Sequence, residues 1–208
     1  MPFDLNIFDY DGVLVDSLDE VVDAGNAFCR SIGHQCIVSK HMVTTLQPMT
    51  YDQLARSIGL PPDRIEACSY FVFNRLQERG AATPLFPGVE SLFRHLTTRN
   101  IVIISGNSRD VINAKLAAHA LDRQVAAIVG AQEPGDKADK IRRACADFNV
   151  KPGATCMIGD SMSDIQYAKK AGVQSIAVTW GWQSRETLAG QQPDYIVESV
   201  TELRALLE

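Results

Sequence analysis

The sequence predicts an α/β protein, a doubly wound parallel sheet with an inserted all-helical domain. The first observation behind this prediction is a set of short, continuous apolar runs, the pattern of strands buried on both faces of a parallel sheet. The second is that helical segments separate these runs, which favours strand–helix alternation. The third is a long stretch of helical periodicity after the first run, with no strand pattern inside it. The first predicted strand ends at Phe8, and four further strands are predicted over residues 101–104, 126–129, 155–158 and 175–178.

The helical stretch divides the chain into a core domain and an insertion. The predicted helical segments of the insertion cover residues 21–32, 39–46, 51–58 and 63–79. The prolines and glycine of residues 84–88 then break the pattern, and strand–helix alternation begins. We therefore expect residues 1–16 and 84–208 to form the core domain and residues 17–83 to form the helical insertion.

Charge and cysteine content exclude several classes of partner. The net charge is −5 and the lysines and arginines are dispersed, which argues against nucleic acid or an anionic membrane as the principal partner. No apolar stretch approaches the length needed to span a membrane. The 5 cysteines are odd in number and lack C-x-x-C spacing, so we expect reduced thiols in a cytoplasmic protein. Cys145 and Cys156 are expected in the core.

Polar residues follow the predicted strands at the points where those strands end. Ligands of a doubly wound sheet bind outside the carboxyl ends of its strands, so these residues are the candidates for a functional site. The segments are Asp9 to Asp11, Ser105-Gly106-Asn107-Ser108, Asp136-Lys137, and Gly159-Asp160 to Asp164. Chance would rarely place such residues at each of these ends.

Asp9 and Asp11 indicate a metal site. Side chains two residues apart on a strand share a face, and Gly12 then releases the chain into a loop. Two carboxylates placed together repel each other unless a cation or a shared proton lies between them. Oxygen ligands of this kind favour a hard divalent cation, and we expect Mg²⁺.

The four segments, in this order, resemble the motifs of the haloacid dehalogenase-like hydrolases. The resemblance covers essentially the whole chain and is to the subfamily in which a helical cap follows the first motif. It continues into Thr179-Trp180-Gly181-Trp182-Gln183-Ser184-Arg185-Glu186, which is similar to the loop after the fifth core strand in phosphoglycolate phosphatase-like members. It implies a Rossmann-like core and phosphoryl-transfer chemistry.

The resemblance also implies how the acidic residues are used. Asp9 would be the nucleophile that forms an aspartyl-phosphate, which divides one difficult step into two easier ones. Asp9 and Asp160 would bind Mg²⁺ through their side chains, and Asp11 through its backbone carbonyl. Asp164 would orient the waters of the metal or pair with Lys137.

Proton transfer and phosphate binding would fall to further residues of the same motifs. By the resemblance, Asp11 would act as general acid to the leaving group and as general base to water. Ser105 and the backbone amides of Gly106 and Asn107 would hold phosphate oxygens.

Two lysines are candidates for contact with the transferring phosphoryl group. Lys137 would neutralise its charge, a role that suits an ammonium group. Lys140 lies one helical turn further on and is the alternative. We favour Lys137 because it falls at the junction of loop and helix.

Asp11 narrows the reaction within the family. Members that cleave carbon–halogen or carbon–phosphorus bonds lack an aspartate at this position. We therefore expect a phosphatase for a small phosphorylated metabolite, phosphoglycolate-like or a sugar phosphate, that acts as a monomer or homodimer. A phosphonate hydrolase would need a lysine where Gln47 stands, and an amide cannot form an imine.

Two other functions are weighed against the phosphatase. A phosphomutase of the β-phosphoglucomutase type is the main alternative, although Val21 stands where its cap histidine would be. A non-catalytic protein that binds a phosphorylated ligand or a partner protein is disfavoured, because Asp9, Asp11 and Asp160 are all present.

Overall fold

The computed structural model describes residues 3–79, 82–96 and 100–208, and the chain forms two compact units. The first unit comprises residues 1–16 and 81–208, and the second comprises residues 17–80. Within the first unit, the backbone amide of Asp16 donates to the carbonyl of Pro84 at 2.9 Å. The segment that leaves this unit is therefore joined to the segment that returns to it.

A parallel sheet of six strands, counted over the described residues, forms the centre of the first unit. The strands are β1 (Leu5–Phe8), β2 (Asn100–Ile104), β3 (Ala127–Val129), β4 (Thr155–Gly159), β5 (Gln174–Val178) and β6 (Tyr195–Val197). Their order is β3-β2-β1-β4-β5-β6, and every neighbouring pair is parallel. The reversal of strand order between β1 and β4 is the switch point of a doubly wound sheet, so the predicted fold class is confirmed.

Helices occupy both units. The second unit contains α1 (Leu18–Ser31), α2 (Lys40–Thr44), α3 (Tyr51–Ser57) and α4 (Pro62–Arg79), and no strand among its described residues. The first unit contains α5 (Val89–His95), α6 (Arg109–Ala118), α7 (Lys137–Asp147), α8 (Met162–Ala171), α9 (Arg185–Ala189) and α10 (Val200–Leu207). The predicted segment 39–46 is too long at both ends. Ser39 caps α2 by accepting from the amide of Met42, and the helix ends at Thr44.

Side chains of β1 and its neighbours alternate between two apolar clusters, one on each face of the sheet. Leu5 and Ile7 pack with one cluster, and Phe8 packs with the other, where its ring centroid lies 5.2 Å from that of Phe93. Burying such a side chain contributes about 1.5–3 kcal/mol relative to leaving it exposed. The strand that leads to Asp9 is therefore held rigidly from both sides.

The outer strands differ from the sequence prediction. β3 is only partly buried because it is an edge strand, whereas the prediction had it buried on both faces. β6 was missed, since it has three residues and its first, Tyr195, is exposed. Cys145 and Cys156 are buried free thiols, which confirms that prediction.

The second unit is held together by helix packing. The rings of Phe28 on α1 and Phe71 on α4 lie 5.5 Å apart, and Leu54 of α3 is fully buried. Among the described residues of the whole chain, no helix is both long enough and apolar enough to cross a membrane.

Candidate active site

The carboxyl ends of β1 and β4 bring three carboxyl groups together. The two strands pair with Phe8 opposite Ile158, and the backbone amide of Asp9 donates to the Ile158 carbonyl at 2.9 Å. One carboxyl oxygen each of Asp9, Asp160 and Asp164 lie within 4.8 Å of one another. The register of β1 and β4, together with the start of α8, therefore brings Asp9 close to Asp160 and Asp164, which are far from it in sequence.

The loop after β1 requires glycine at position 12. Gly12 has a φ of 75°, a conformation that side chains disfavour. A Cβ atom there would lie 2.0 Å from Oδ2 of Asp160, so its backbone packs directly against that carboxyl group. The tight turn at Gly12 is thus part of the site itself.

Asp9 is fixed through both of its carboxyl oxygens. Oδ1 accepts from the backbone amide of Tyr10 at 2.8 Å, and Oδ2 lies 3.0 Å from Nζ of Lys137. Burial raises the pKa of Asp9 from 3.8 to about 7, while Lys137 opposes this shift and Asp164 adds to it.

Lys137 is the first residue of α7, where a capping box formed by Asp136 and Asp139 fixes the start of the helix. Its Nζ donates to Asp164 Oδ1 at 2.6 Å as well as contacting Asp9. Burial alone would lower the pKa of Lys137, but the two carboxylates outweigh burial and raise it. Lys137 is therefore a cation held between two acids.

Lys140 points elsewhere. Its Nζ donates to the Gly130 carbonyl at 2.7 Å, in the loop after β3, and its side chain is buried there. Burial lowers the pKa of Lys140. Of the two lysines, Lys137 is thus the one in contact with Asp9.

Asp160 lies in the short loop between β4 and α8, and Asp164 lies in the first turn of α8. Oδ2 of Asp160 accepts from the Trp182 amide at 2.7 Å, and burial, then Asp164 and Asp9, raise the pKa of Asp160. Both oxygens of Asp164 are engaged, Oδ1 by Lys137 and Oδ2 by the Ser161 hydroxyl at 2.6 Å. Ser161 in turn caps α8 by accepting from the Asp164 amide.

Ser105 and Asn107 lie at the end of β2, next to β1 in the sheet. The Asn107 amide, predicted to hold a phosphate oxygen, donates to Oγ of Ser105 at 3.0 Å. The Asn107 side chain donates to Oδ2 of Asp11 at 2.8 Å. The loop after β2 is therefore connected to the carboxyl group of Asp11.

Three contacts were not expected from the sequence: those made by the Asn107 side chain, the Trp182 amide and Gln183. Gln183 is 3% exposed and its Oε1 accepts from the Met162 amide at 2.7 Å. The resemblance of residues 179–186 marked the segment that holds Trp182 and Gln183, but nothing in the sequence indicated which residues they contact. For Asn107, no signal in the sequence indicated that its side chain, in addition to its backbone amide, would contact a residue of the site.

The donor set fits a hard divalent cation. The available ligand atoms are carboxyl oxygens, the type that Mg²⁺ prefers. Burial, and then like charge, raise the pKa of both Asp9 and Asp160. The positive charge of Lys137 alone therefore does not offset the cost of ionising the carboxyl groups of this cluster. A bound cation would supply the missing charge.

Fold and site together define an α/β protein with a cluster of carboxyl groups at the switch point of its parallel sheet. A family model described as haloacid dehalogenase-like hydrolase matches residues 6–178. The chain belongs to this family, which confirms the resemblance inferred from the motifs.

Known relatives agree with this assignment over nearly the full length. A phosphoglycolate phosphatase of Synechococcus elongatus is 32% identical to this chain, and the match covers 95% of this chain and 93% of the length of that protein. The pyrophosphatase PpaX of Anoxybacillus flavithermus is 24% identical over 97% of this chain and 95% of its own. The predicted enzyme class, a phosphatase of this family, is thereby confirmed.

A solved structure shares the fold. A haloacid dehalogenase-like family hydrolase from Streptococcus pneumoniae superposes with a TM-score of 0.88 and 23% identity, and 99% of each chain is covered. At this identity the likeness shows the fold alone.

Proposed function

We propose that this protein is a Mg²⁺-dependent phosphatase that hydrolyses a small phosphorylated metabolite through an aspartyl-phosphate on Asp9. The observation that carries the proposal is the contact of Asp9 with Lys137, 3.0 Å from Oδ2 to Nζ, beside Asp160 and Asp164. A carboxylate attacking a phosphate dianion meets like-charge repulsion, and this cluster has the groups that offset it.

Asp9 forms and breaks the covalent bond. One of its carboxyl oxygens attacks phosphorus while the bond from phosphorus to the ester oxygen breaks, and the electron pair goes to the leaving oxygen. Water then attacks the same phosphorus, and the bond to Asp9 breaks to release inorganic phosphate. The hydrogen bond from the Tyr10 amide keeps the carboxyl group in one orientation through both steps.

Asp11 moves the protons of both steps. In its protonated form Asp11 donates a proton to the leaving oxygen. As the carboxylate it then takes a proton from the attacking water. Asn107 donates to Oδ2 of Asp11 at 2.8 Å, and this hydrogen bond orients the carboxyl group for proton transfer.

Asp9 and Asp160 would hold Mg²⁺ through their side chains, with the backbone carbonyl of Asp11 as a third ligand. The bound ion supplies positive charge against the phosphoryl oxygens. Both oxygens of Asp164 already accept hydrogen bonds, so Asp164 is proposed to orient Lys137 and the loop of Ser161. Lys137 neutralises the phosphoryl group, and Ser105 binds one of its oxygens.

The substrate class rests on the relatives and on the second unit, proposed here as the cap. The relatives are named for phosphoglycolate and pyrophosphate, so both compounds and sugar phosphates form the test panel. Four exposed basic side chains of the second unit have acidic neighbours, so none of these four is singled out as a substrate contact. These pairs are Lys40–Asp19, Arg56–Asp52, Arg64–Asp63 and Arg75–Glu78.

Phosphate release from this panel tests the proposal. We expect Mg²⁺-dependent hydrolysis of at least one compound, and loss of roughly 10⁴-fold or more in Asp9→Asn. A folded protein that hydrolyses none of the compounds would contradict it. Phosphoryl transfer between sugar phosphates without release of inorganic phosphate would favour the phosphomutase instead.

A further inference from the structure

Four consecutive residues after β5, here named the 180–183 loop, contact Asp160 or the segments that surround the acidic centre. They are Trp180, Gly181, Trp182 and Gln183. None of them has a part in the reaction proposed above. Each nevertheless contacts the loop that follows β1 or the loop that follows β4.

Trp180 and Gly181 fix the loop against the turn that follows Asp11. The indole Nε1 of Trp180 donates to the Val13 carbonyl at 3.2 Å. A Cβ atom at Gly181 would lie 2.4 Å from the Gly12 carbonyl oxygen and 2.3 Å from Cβ of Asp160. A backbone carbonyl oxygen and a Cβ atom cannot move away by a change of side-chain rotamer. A side chain at position 181 would therefore require the backbone to shift.

Trp182 and Gln183 fix the loop against the β4–α8 connection. The Trp182 amide donates to Oδ2 of Asp160 at 2.7 Å. Oε1 of Gln183 accepts from the amide of Met162, the first residue of α8, at 2.7 Å. The first turn of a helix has amides without intrahelical partners, so this buried side chain satisfies one of them.

Asp160 needs such restraint because its surroundings repel it. Its side chain is 2% exposed and shares the centre with Asp9 and Asp164, and Lys137 forms its ion pairs with those two carboxylates. The hydrogen bond from the Trp182 amide directs the carboxyl group of Asp160. Without it, repulsion would turn the side chain away from the other two acids.

We propose that the 180–183 loop is the positioning element for Asp160, with Gly181 and Gln183 as its positioning residues. The loop holds Oδ2 of Asp160 and thereby presents the other oxygen for the cation. The inference rests on the proposed function, because it assigns the element that prepares one of the proposed Mg²⁺ ligands.

Gly181→Ala is the first test, with Gly190→Ala as its matched control. The added methyl group displaces Asp160 or the Gly12 turn, whereas at Gly190 its nearest neighbour would be 3.4 Å away. The readout is the Mg²⁺ concentration that produces half of the rise in melting temperature. We expect Gly181→Ala to raise this concentration about tenfold or more, and Gly190→Ala to leave it unchanged.

Gln183→Leu is the second test, with Gln166→Leu on the exposed face of α8 as its control. Loss of the acceptor for the Met162 amide should raise the half-saturating Mg²⁺ concentration about threefold to tenfold, and saturating Mg²⁺ should restore kcat. This variant decides the matter if Gly181→Ala fails to fold.

The outcomes separate this inference from the proposed function. A wild-type chain that neither binds Mg²⁺ nor hydrolyses phosphate esters contradicts the proposed function. A wild-type chain that does both, together with folded Gly181→Ala and Gln183→Leu variants of wild-type Mg²⁺ affinity, overturns the role of the 180–183 loop alone.

Discussion

At the scale of single residues, two lysines one helical turn apart have opposite environments. Lys137 lies between Asp9 and Asp164, and Lys140 donates to the Gly130 carbonyl. Lys137→Met should lower kcat by roughly 10³-fold or more, because the phosphoryl charge and both acids lose their counter-charge. Lys140→Met should keep kcat within about threefold of wild type, since it loses one hydrogen bond away from Asp9. Steady-state kinetics with melting curves check both, and equal losses of kcat would contradict the assignment.

Asn107 yields a prediction about the leaving group. If it orients Asp11 for proton donation, Asn107→Leu should impair substrates whose leaving oxygen needs a proton. We expect a loss of about 10- to 100-fold in kcat/KM for an alkyl phosphate and a much smaller loss for p-nitrophenyl phosphate.

The Asp11→Asn background is the control for Asn107. In that background, Asn107→Leu should lower kcat/KM for the alkyl phosphate only slightly further, because the proton donor has already been removed. An equal loss for both leaving groups would show that Asn107 does not act through Asp11.

At the scale of elements, the helix that follows β4 depends on its first turn. Ser161 caps α8 and also donates to Asp164, whereas Ser199 caps α10 by accepting from the Glu202 amide. Each alanine substitution should lower the free energy of unfolding by about 1 kcal/mol. Only Ser161→Ala should also lower kcat/KM, because Asp164 loses the shorter of two hydrogen bonds to Oδ2, that from the Ser161 hydroxyl at 2.6 Å, and keeps the one from the Ser161 amide at 3.2 Å. Denaturant unfolding with kinetics on both variants checks this, and unchanged kinetics in Ser161→Ala would contradict it.

The elements themselves were largely predictable. The continuous apolar runs identified β1 to β5, and burial on both faces is the reason for the inner strands β1, β2, β4 and β5. β6 was missed because three residues beginning with an exposed tyrosine carry no such signal.

The candidate site was predictable only in part. Motif position indicated Asp9, Lys137 and Asp160, since the carboxyl ends of parallel strands meet at one edge. The partners of Asn107 and Gln183 depend on distances between loops far apart in sequence, and local pattern does not encode these.

At the scale of the whole molecule, cation binding should be linked to stability and to pH. Binding to the folded state alone stabilises by about 2.7 kcal/mol when the free cation is at 100 times its Kd. Burial raises the pKa of Asp9 to about 7, so below that pH the cation must displace a proton from the folded protein. The rise in melting temperature caused by Mg²⁺ should therefore be larger at about pH 8 than at about pH 6.

Asp160→Asn serves as the control for this linkage. It removes a proposed ligand and a buried charge, so Mg²⁺ should produce little rise at either pH. The melting temperature of the metal-free variant should be at least that of the metal-free wild type. The reason is that the substitution removes a buried carboxylate that Asp9 and Asp164 repel. A wild-type response that is the same at both pH values would contradict the linkage.

The central position of β1 has a consequence for the order of events during synthesis. Leu5 pairs with Asn100 on one side and with Thr155 on the other. At about 5–20 residues per second, the ribosome delivers the second partner roughly 8–30 s after the first strand has been made. The strand that leads to the proposed nucleophile is thus among the first segments synthesised, but it gains its second neighbour only once β4 has been made. A nascent chain or fragment that stops before β4 carries Asp9 but cannot build the site around it.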